Sequence, residues 1–157
     1  MISLVTKTVY KAPVEQVFDA NRDVSLHQAT QRHRGEIAID GVTVGLLQQG
    51  DEVEWEARHF GIRQRLRVKI TTLIPNIYLC DEQISGPFGS YRHHHYFQKQ
   101  GPNTTEKMDI MEIEGPLQPL GKAIEPFLKL YMTKFLVRKN EELKRLIESN
   151  FVSPSFY

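Results

Sequence analysis

A long C-terminal helix constrains the fold of this chain more strongly than any other feature of the sequence. Its apolar residues recur at helical spacing as far as Ser149, and they are Ile124, Phe127, Leu128, Tyr131, Phe135, Leu143, Leu146 and Ile147. The first half, FLKLYMTKFLV, is apolar on nearly every side, whereas the second half, RKNEELKRLIES, is amphipathic. A helix that is apolar all round must be covered all round or border an internal space. Pro126 fits only near its first turn, or at a break after a short turn around residues 117–123.

The residues before this helix alternate between polar and apolar, which is typical of half-buried strands. Six such segments are EIAID, DEVEWEARHF, RQRLRVKITTL, IPNIYLCDEQI, YRHHHYF and TTEKMDIMEIE, and a further strand is predicted in MISLVTKTVY. Short turns link most of them, so neighbours are expected to pair antiparallel as a meander. Two short helices are predicted after the first strand, one from Pro13 and one capped by Asp23 or Ser25.

This order of elements predicts an α+β fold in which a curved antiparallel sheet of about seven strands wraps around the C-terminal helix. A sheet with one apolar face needs a cover, and among the predicted elements only the long helix can span it. A strongly curved sheet cannot close perfectly on one helix, so the gap is expected to form a cavity. We expect one domain over residues 1–149 and a loose tail over residues 150–157.

Composition excludes several classes of function. With 20 basic and 19 acidic residues, the net charge of +1 gives no support for binding to nucleic acid. Cys80 is the single cysteine, so neither an intrachain disulfide nor a cysteine-rich zinc site is expected. No apolar run approaches the roughly 20 residues that cross a bilayer, and the start lacks a signal peptide, so a cytoplasmic protein without integral membrane association is expected. No GxSxG, P-loop or GxGxxG motif is present, and no cofactor is predicted.

The stretch GPFGSYRHHHYF holds three of the six histidines of the chain. On a strand, residues two apart share a face, so Tyr91, His93, His95 and Phe97 are predicted to point into the cavity. His93 and His95 then have three possible roles: hydrogen bonding to neighbouring strands, orienting the polar end of a ligand, or binding a metal. The sequence identifies no third metal ligand, with His59, Glu82 and Asp109 as the candidates, so no metal site is predicted.

Neighbouring strands supply further candidates. Asp81 or Gln83 is expected to share the face of His93; we predict Gln83 as a lining residue, and note that a carboxylate beside an imidazole would form an acid/base pair. Asp109 is predicted to point outward, with Met108 and Ile110 inward. On the C-terminal helix, Phe127, Tyr131 and Phe135 are predicted to line the cavity, and the buried phenol of Tyr131 requires a partner.

Three segments carry a resemblance to a known group of proteins: APVEQVFD, GDEVEWEARHFGIRQRLRVKIT and DEQISGPFGSYRHHHYF. The chain resembles the START-like, or SRPBCC, superfamily with its Bet v 1-like helix-grip fold. More narrowly, it is similar to bacterial single-domain proteins described as polyketide cyclase/dehydrase-like. The tetrapeptide RHFG at 58–61 is part of this resemblance, which implies that Arg58, His59 and Phe60 lie at the mouth of the cavity or line it.

The resemblance implies several functions, because this fold hosts carriers, enzymes and chaperone cofactors. The first hypothesis is a binding protein for a small hydrophobic molecule such as a lipid, a quinone or an aromatic polyketide. The second is a cyclase/dehydrase-type enzyme in which His93 or His95 acts as general acid or base. The third is a protein-interaction module similar to the Hsp90 activators, which requires a contiguous exposed apolar patch. The oligomeric state does not follow from the sequence.

Overall fold

The computed structural model of the protein describes residues 1–117 and 119–149. The segment 150–157, for which a loose tail was predicted, lies outside the described residues. Within them, the strands are β1 (Ile2–Tyr10), β2 (Ile37–Gly41), β3 (Glu52–His59), β4 (Ile62–Ile74), β5 (Tyr78–Ser85), β6 (Ser90–Gly101) and β7 (Thr104–Glu114). Helices α1 (Val14–Asn21) and α2 (Val24–Thr30) follow β1, a short 3₁₀ turn spans Arg32–Arg34, and α3 (Gly121–Glu148) follows β7.

The seven described strands form one antiparallel sheet in the order β1-β7-β6-β5-β4-β3-β2. Strands β2 to β7 form the expected meander, and β1 completes the sheet by pairing with β7 from Ile2 to Tyr10. Register shifts interrupt the pairing of β2 with β3, of β4 with β5 and of β6 with β7. Such irregularities bend strands and increase their twist, which helps the sheet to curl around α3. The predicted helix-grip architecture is therefore confirmed.

Helix α3 buries one face against the sheet and leaves the other face exposed. Leu128, Met132 and Leu136 are buried, whereas Phe127 is 60% exposed and Leu130 is 57% exposed. The expectation that this apolar half is covered all round or borders an internal space is therefore wrong for its outer face, because no other described element packs there. The helix gains its burial from the sheet and from α1 and α2.

Pro126 lies further inside α3 than the sequence analysis predicted. The helix begins at Gly121, which places the proline in the second turn rather than the first. A proline at this position cannot donate a hydrogen bond to the carbonyl oxygen of Lys122. Both residues are exposed or partly exposed, so solvent can satisfy that carbonyl. This location explains how the helix accommodates a residue that usually interrupts helices.

The apolar core of the described residues is divided into two clusters. One joins α1, Trp55, Val68 and the end of α3, and the other joins β1, Met111, Ile113 and the first half of α3. The half-buried ring of Tyr91 packs against both clusters. Because neither cluster fills the space between them, the interior of the sheet remains open there.

The orientation of β7 is opposite to the predicted one. Met111 and Ile113 are buried, Met108 and Ile110 are only partly buried, and Asp109 is completely buried. The prediction that Asp109 points outward is therefore wrong. Apolar residues occupy both parities of this strand, so its pattern alone does not define the inward face. The register with β1 defines it, because Met111 is the pairing partner of the buried Leu4.

A buried polar network connects β7 to α3. Lys107 Nζ lies 3.0 Å from Asp109 Oδ1 and donates to Asn140 Oδ1 at 3.1 Å. Asn140 Nδ2 in turn donates to Asp109 Oδ2 at 2.8 Å. All three side chains are almost fully buried. Since buried charges are tolerated only when they are paired, the network fixes the position of α3 on the sheet.

We expect Lys107→Met to lower the free energy of unfolding by roughly 3–5 kcal/mol, because it leaves the carboxylate of Asp109 without its buried cation. The measurement is urea denaturation at pH 7. Lys69→Met is the matched control, since Lys69 is exposed on β4 and we expect a change within about 0.5 kcal/mol. Equal effects of the two substitutions would contradict a stabilising role for the buried network.

Candidate functional site

A cavity of about 140 Å³ lies between the two apolar clusters, bounded by the sheet and α3. Its apolar walls come from both clusters, including Trp55, Val68, Ile70, Met111 and Met132. A single water molecule needs only about 10–15 Å³ of such space, so the cavity can hold a much larger molecule. The internal space that the sequence predicted is therefore present.

Strand β6 directs two histidines into this cavity. His93 and His95 are buried and line it, whereas Arg92 and Tyr96 are exposed on the opposite face. Tyr91 also lines the cavity and places its hydroxyl 3.3 Å from His93 Nδ1. The predicted inward orientation of the alternate residues of β6 is observed.

Asp109 contacts both inward histidines from β7. Its Oδ1 atom lies 2.9 Å from His93 Nε2 and 2.9 Å from His95 Nδ1. Burial alone would raise the pKa of Asp109, but the charge of Lys107 and the contacts with the two imidazoles hold that pKa well below its usual range. Asp109 is therefore a carboxylate, and it positions both rings.

Asp81 approaches the same pair of histidines from β5. It pairs with His93 in the sheet, and its Oδ2 atom lies 3.0 Å from His95 Nε2. Burial would raise the pKa of Asp81, but the hydrogen bond with His95 and the neighbouring imidazoles lower it. His95 consequently lies between two carboxylates, with one ring nitrogen directed at each.

His93 is neutral at pH 7. Burial, and then the neighbouring ring of His95, lower the pKa of His93 to about 3. Because the carboxylate of Asp109 can only accept a hydrogen bond, the proton of His93 lies on Nε2. Its Nδ1 atom is then an acceptor, and the hydroxyl of Tyr91 can donate to it. The histidine pair thus presents a defined arrangement of donors and acceptors to the cavity.

A second polar wall, which the sequence analysis missed, faces the cavity from α2. His27 Nε2 donates a hydrogen bond to Glu36 Oε1, and the ring of His27 stacks on Trp55 with 4.0 Å between centroids. Burial lowers the pKa of His27, with Lys139 contributing. Burial would raise the pKa of Glu36, but contact with His27 and the charge of Lys139 hold it below its usual value. Helix α2 has only seven residues, too few for periodicity to identify its inward side chains.

A hydrogen-bonded chain of three residues lies at the mouth of the cavity. Arg34 Nη1 donates to the hydroxyl oxygen of Tyr131 at 2.6 Å, and this hydroxyl lies 2.7 Å from His59 Nδ1. Burial, and then the charge of Arg34, lower the pKa of His59, so its neutral ring can accept the hydroxyl proton. The predicted need of Tyr131 for a partner is satisfied, although Arg34 was not foreseen. Phe135 lies beside the chain, under the guanidinium of Arg34.

Phe60 occupies a strained position at the same mouth. It forms the turn between β3 and β4 with Gly61, and the φ angles of these residues are 55° and 72°. This two-residue turn suits asparagine or glycine, so a phenylalanine with positive φ is unusual. Its ring lies 4.5 Å from that of Tyr131 and 5.7 Å from that of Phe127, measured between centroids.

Four residues predicted to line the cavity do not do so. Arg58 is exposed, because it has the outward parity of β3. Gln83 instead donates from its side chain to the carbonyl oxygen of Phe88 at 2.9 Å, which holds the turn before β6. Phe97 points inward but packs edge-on against Phe18 in the solid core, with 5.2 Å between centroids. Phe127 lies on the exposed face of α3, where it contacts Phe60 at the mouth but does not line the cavity.

Among the described residues, Asp81, His93 and His95 form a group that could hold a metal ion. Each offers one ligand atom, and these atoms lie within 4.8 Å of one another. The sequence left the third ligand open among His59, Glu82 and Asp109; the structure supplies Asp81 instead. Asp109 stands behind the two rings, where it can orient them.

The fold matches solved structures over nearly the whole chain. An aromatase/cyclase from Streptomyces sp. R1128 has a TM-score of 0.78 and 11% identity, with 96% of this chain and 95% of that chain covered. A protein from Thermus thermophilus has a TM-score of 0.77 and 13% identity, with 94% and 98% covered. A START superfamily protein from Mycobacterium smegmatis has a TM-score of 0.68 and 14% identity, with 94% and 97% covered.

These identities are low, so the matches show the helix-grip fold that the sequence predicted and no more. No protein-family profile and no curated protein matches the chain. Among the described residues, no helix combines the length and the apolar character that crossing a membrane requires.

The neutral state of His27 leads to a pH-dependent contribution to stability. When the pH falls below about 6.5, the unfolded chain binds a proton at His27 that the folded chain does not, so the free energy of unfolding decreases. We expect His27→Gln, which keeps a donor for Glu36, to remove this component. Between pH 8 and pH 5.5 the wild type should lose more stability than the variant, by at most about 1.4 kcal/mol.

Urea denaturation of both proteins at the two pH values gives this difference directly. Other titrating groups affect both proteins alike, so subtraction of the two losses isolates His27. Equal losses in both proteins would contradict a neutral, buried His27.

Proposed function

We propose that this protein binds a small, mostly apolar molecule, such as a lipid, a quinone or an aromatic polyketide-like compound, in the cavity between the sheet and α3. The cavity itself carries the proposal, because it joins extended apolar walls to a few polar groups at defined places. Ligand sites of this kind gain affinity from apolar burial, at about 25 cal/mol per Å², and orientation from their polar groups.

The polar cluster of Asp81, His93 and His95 would orient one end of the ligand. A neutral imidazole offers one donor and one acceptor, which suits a carbonyl, phenol or carboxyl group. The hydroxyl of Tyr131 and the ring of His59 supply a second polar contact near the mouth. A ligand with oxygen atoms at both ends would therefore satisfy the site better than a plain hydrocarbon.

Exposed apolar side chains surround the mouth, where a ligand would enter and leave the cavity. Phe60 is 56% exposed, Ile62 is 62% exposed, and Phe127 of α3 contacts Phe60. Such a patch is also the feature that an interaction module similar to the Hsp90 activators would require. Because Phe60 contacts the cavity-lining Tyr131, we assign the patch to passage of the ligand between solvent and cavity.

We expect Ala57→Phe to abolish ligand binding, because Ala57 lines the cavity and a phenyl ring there would occupy it. A screen of lipids, quinones and aromatic compounds should find molecules that raise the melting temperature of the wild type by linkage. The variant should bind those molecules at least tenfold more weakly, a loss of about 1.4 kcal/mol.

Arg58→Phe is the matched control, since the neighbouring side chain points to solvent and its replacement should leave affinity unchanged. Native mass spectrometry of freshly purified wild type provides a second test, because a retained ligand would appear as a defined added mass. An absence of any ligand in both experiments, or equal affinities of the two variants, would refute the proposal.

A second candidate function is general acid/base catalysis on a carbonyl compound. The observation that favours it is the pair of carboxylates within hydrogen-bond reach of the inward imidazoles, Asp109 at His93 and Asp81 at His95. His95 could take a proton from a carbon next to a carbonyl, leaving its electron pair on the enolate oxygen, whereas burial lowers the pKa of His93 to about 3 and makes it too weak a base. General base catalysis of this kind typically contributes about 10²- to 10⁴-fold in rate.

Exchange of the α-hydrogens of 1-tetralone in D₂O, followed by proton NMR, tests this candidate without knowledge of the natural substrate. We expect the wild type to exceed the same concentration of free imidazole by at least about tenfold. The double variant His93→Ala/His95→Ala, with its fold checked by circular dichroism, should fall to the imidazole rate. His94→Ala, on the opposite face of β6, should retain the wild-type rate. Unchanged exchange in the double variant would exclude the two histidines as the base.

A further inference from the structure

We infer that Asp81, His93 and His95 form a binding site for one divalent first-row transition-metal ion at the polar end of the cavity. The inference uses the cavity of the proposed function but does not depend on which molecule occupies it. The three residues come from the adjacent strands β5 and β6, where Asp81 pairs directly with His93 and His95 follows two residues later on the same face.

The distances suit a metal site whose ligands would move slightly closer together around the ion. The three ligand atoms lie within 4.8 Å of one another, and His95 Nε2 and Asp81 Oδ2 are 3.0 Å apart. Metal–nitrogen and metal–oxygen bonds of about 2.0–2.2 Å place neighbouring ligand atoms roughly 3 Å apart. The His95–Asp81 edge already has this spacing, so the His93 ring would make the main adjustment.

His95 lies between two carboxylates, an arrangement that favours a cation at this place. Each ring nitrogen of His95 faces a carboxylate oxygen, at 2.9 Å for Asp109 and 3.0 Å for Asp81. A metal ion bound to His95 Nε2 and to Asp81 would be attracted by both carboxylates.

Of the two carboxylates, only Asp81 forms a hydrogen bond with His95. His95 Nδ1 lies close to Asp109 Oδ1 but lacks the alignment of a hydrogen bond. Metal-bound histidines usually donate their second nitrogen to a carboxylate that fixes the ring. Asp109 stands at that place for His93 and His95, and Lys107 and Asn140 hold it there. If His95 coordinates the metal through Nε2, its Nδ1–H group can donate a hydrogen bond to Asp109.

The charge of the cluster indicates what the metal would bind. The carboxylates of this region are Asp81, Asp109 and Glu36, and its ammonium groups are Lys107 and Lys139, which together leave one negative charge. A bound divalent ion would change this net charge from −1 to +1. A ligand with an anionic oxygen would then make the site neutral. Two imidazoles and one carboxylate with open positions suit Zn²⁺ or Fe²⁺, and the open side faces the cavity.

Cobalt binding tests the inference through visible absorption rather than activity. Tag-free protein is treated with a chelator, dialysed and titrated with Co²⁺. We expect one equivalent to bind, with the d–d absorption bands of a four- or five-coordinate site, and Zn²⁺ to displace it. Asp81→Asn and His95→Ala should each weaken binding by at least about 100-fold, because each removes a ligand. His94→Ala, which removes the outward histidine between them, should bind like the wild type.

Nitrogen-15 NMR of the histidine rings locates the ion in the unmodified protein, so the test does not depend on whether the variants fold. Zinc should shift the resonances of His93 and His95 and leave those of His94 and His33 unchanged. Any one of three results would overturn the inference. They are no saturable binding of Co²⁺ below about 100 μM, zinc-induced shifts at the other histidines instead, or full Co²⁺ binding by folded His95→Ala.

The same preparations separate this inference from the proposed function. The hydrophobic ligand screen is repeated with the chelator present. Ligand binding in the absence of metal supports the proposed function, whether or not the protein binds cobalt. Metal binding without binding of any hydrophobic ligand supports only the metal site. Tighter binding of an acidic phenol or enol after zinc is added would connect the two.

Discussion

The ion pair between Lys107 and Asp109 is the interaction on which the rest of the interior depends. Both side chains are fully buried, and Asn140 completes their hydrogen bonds from α3. An apolar pair of similar volume would often be as stable, so stability alone does not account for it. The pair fixes α3 against β7 and leaves one carboxylate oxygen facing the two imidazoles. The pair therefore determines both the position of α3 and the orientation of His93 and His95 in the cavity.

Much of the fold could be predicted from the spacing of apolar residues, which is that of strands up to β7 and that of a helix afterwards. Few folds are compatible with this order of elements. The inward face of β6 also followed from its sequence, since Tyr91, His93, His95 and Phe97 share one parity. Parity does not define the inward face of β7, because Met108 and Ile110 have one parity and Met111 and Ile113 have the other. Only pairing with β1 decides between them, and this contact is distant in sequence.

The residues that single elements direct into the site were largely predictable, whereas the contacts between elements were not. His59 and Tyr131 were expected near the cavity, but Arg34, which joins them, comes from a short 3₁₀ turn that has no apolar pattern. Gln83 has the expected parity, yet a nearer partner, the carbonyl oxygen of Phe88, takes its side chain. Phe97 points inward but lies beyond the cavity, against Phe18. Parity gives the face of a residue; only the packed structure gives its neighbours.

The strain at Phe60 supports the view that the cavity mouth is a functional feature. A left-handed conformation costs a residue with a side chain roughly 1–2 kcal/mol, and asparagine or glycine would make the same turn with less strain. The ring gains little burial in return, since more than half of it remains exposed. Its contacts are with Tyr131 and Phe127, both at the mouth. The sheet does not need an aromatic residue at this turn, whereas the proposed binding of an apolar molecule would give one a role.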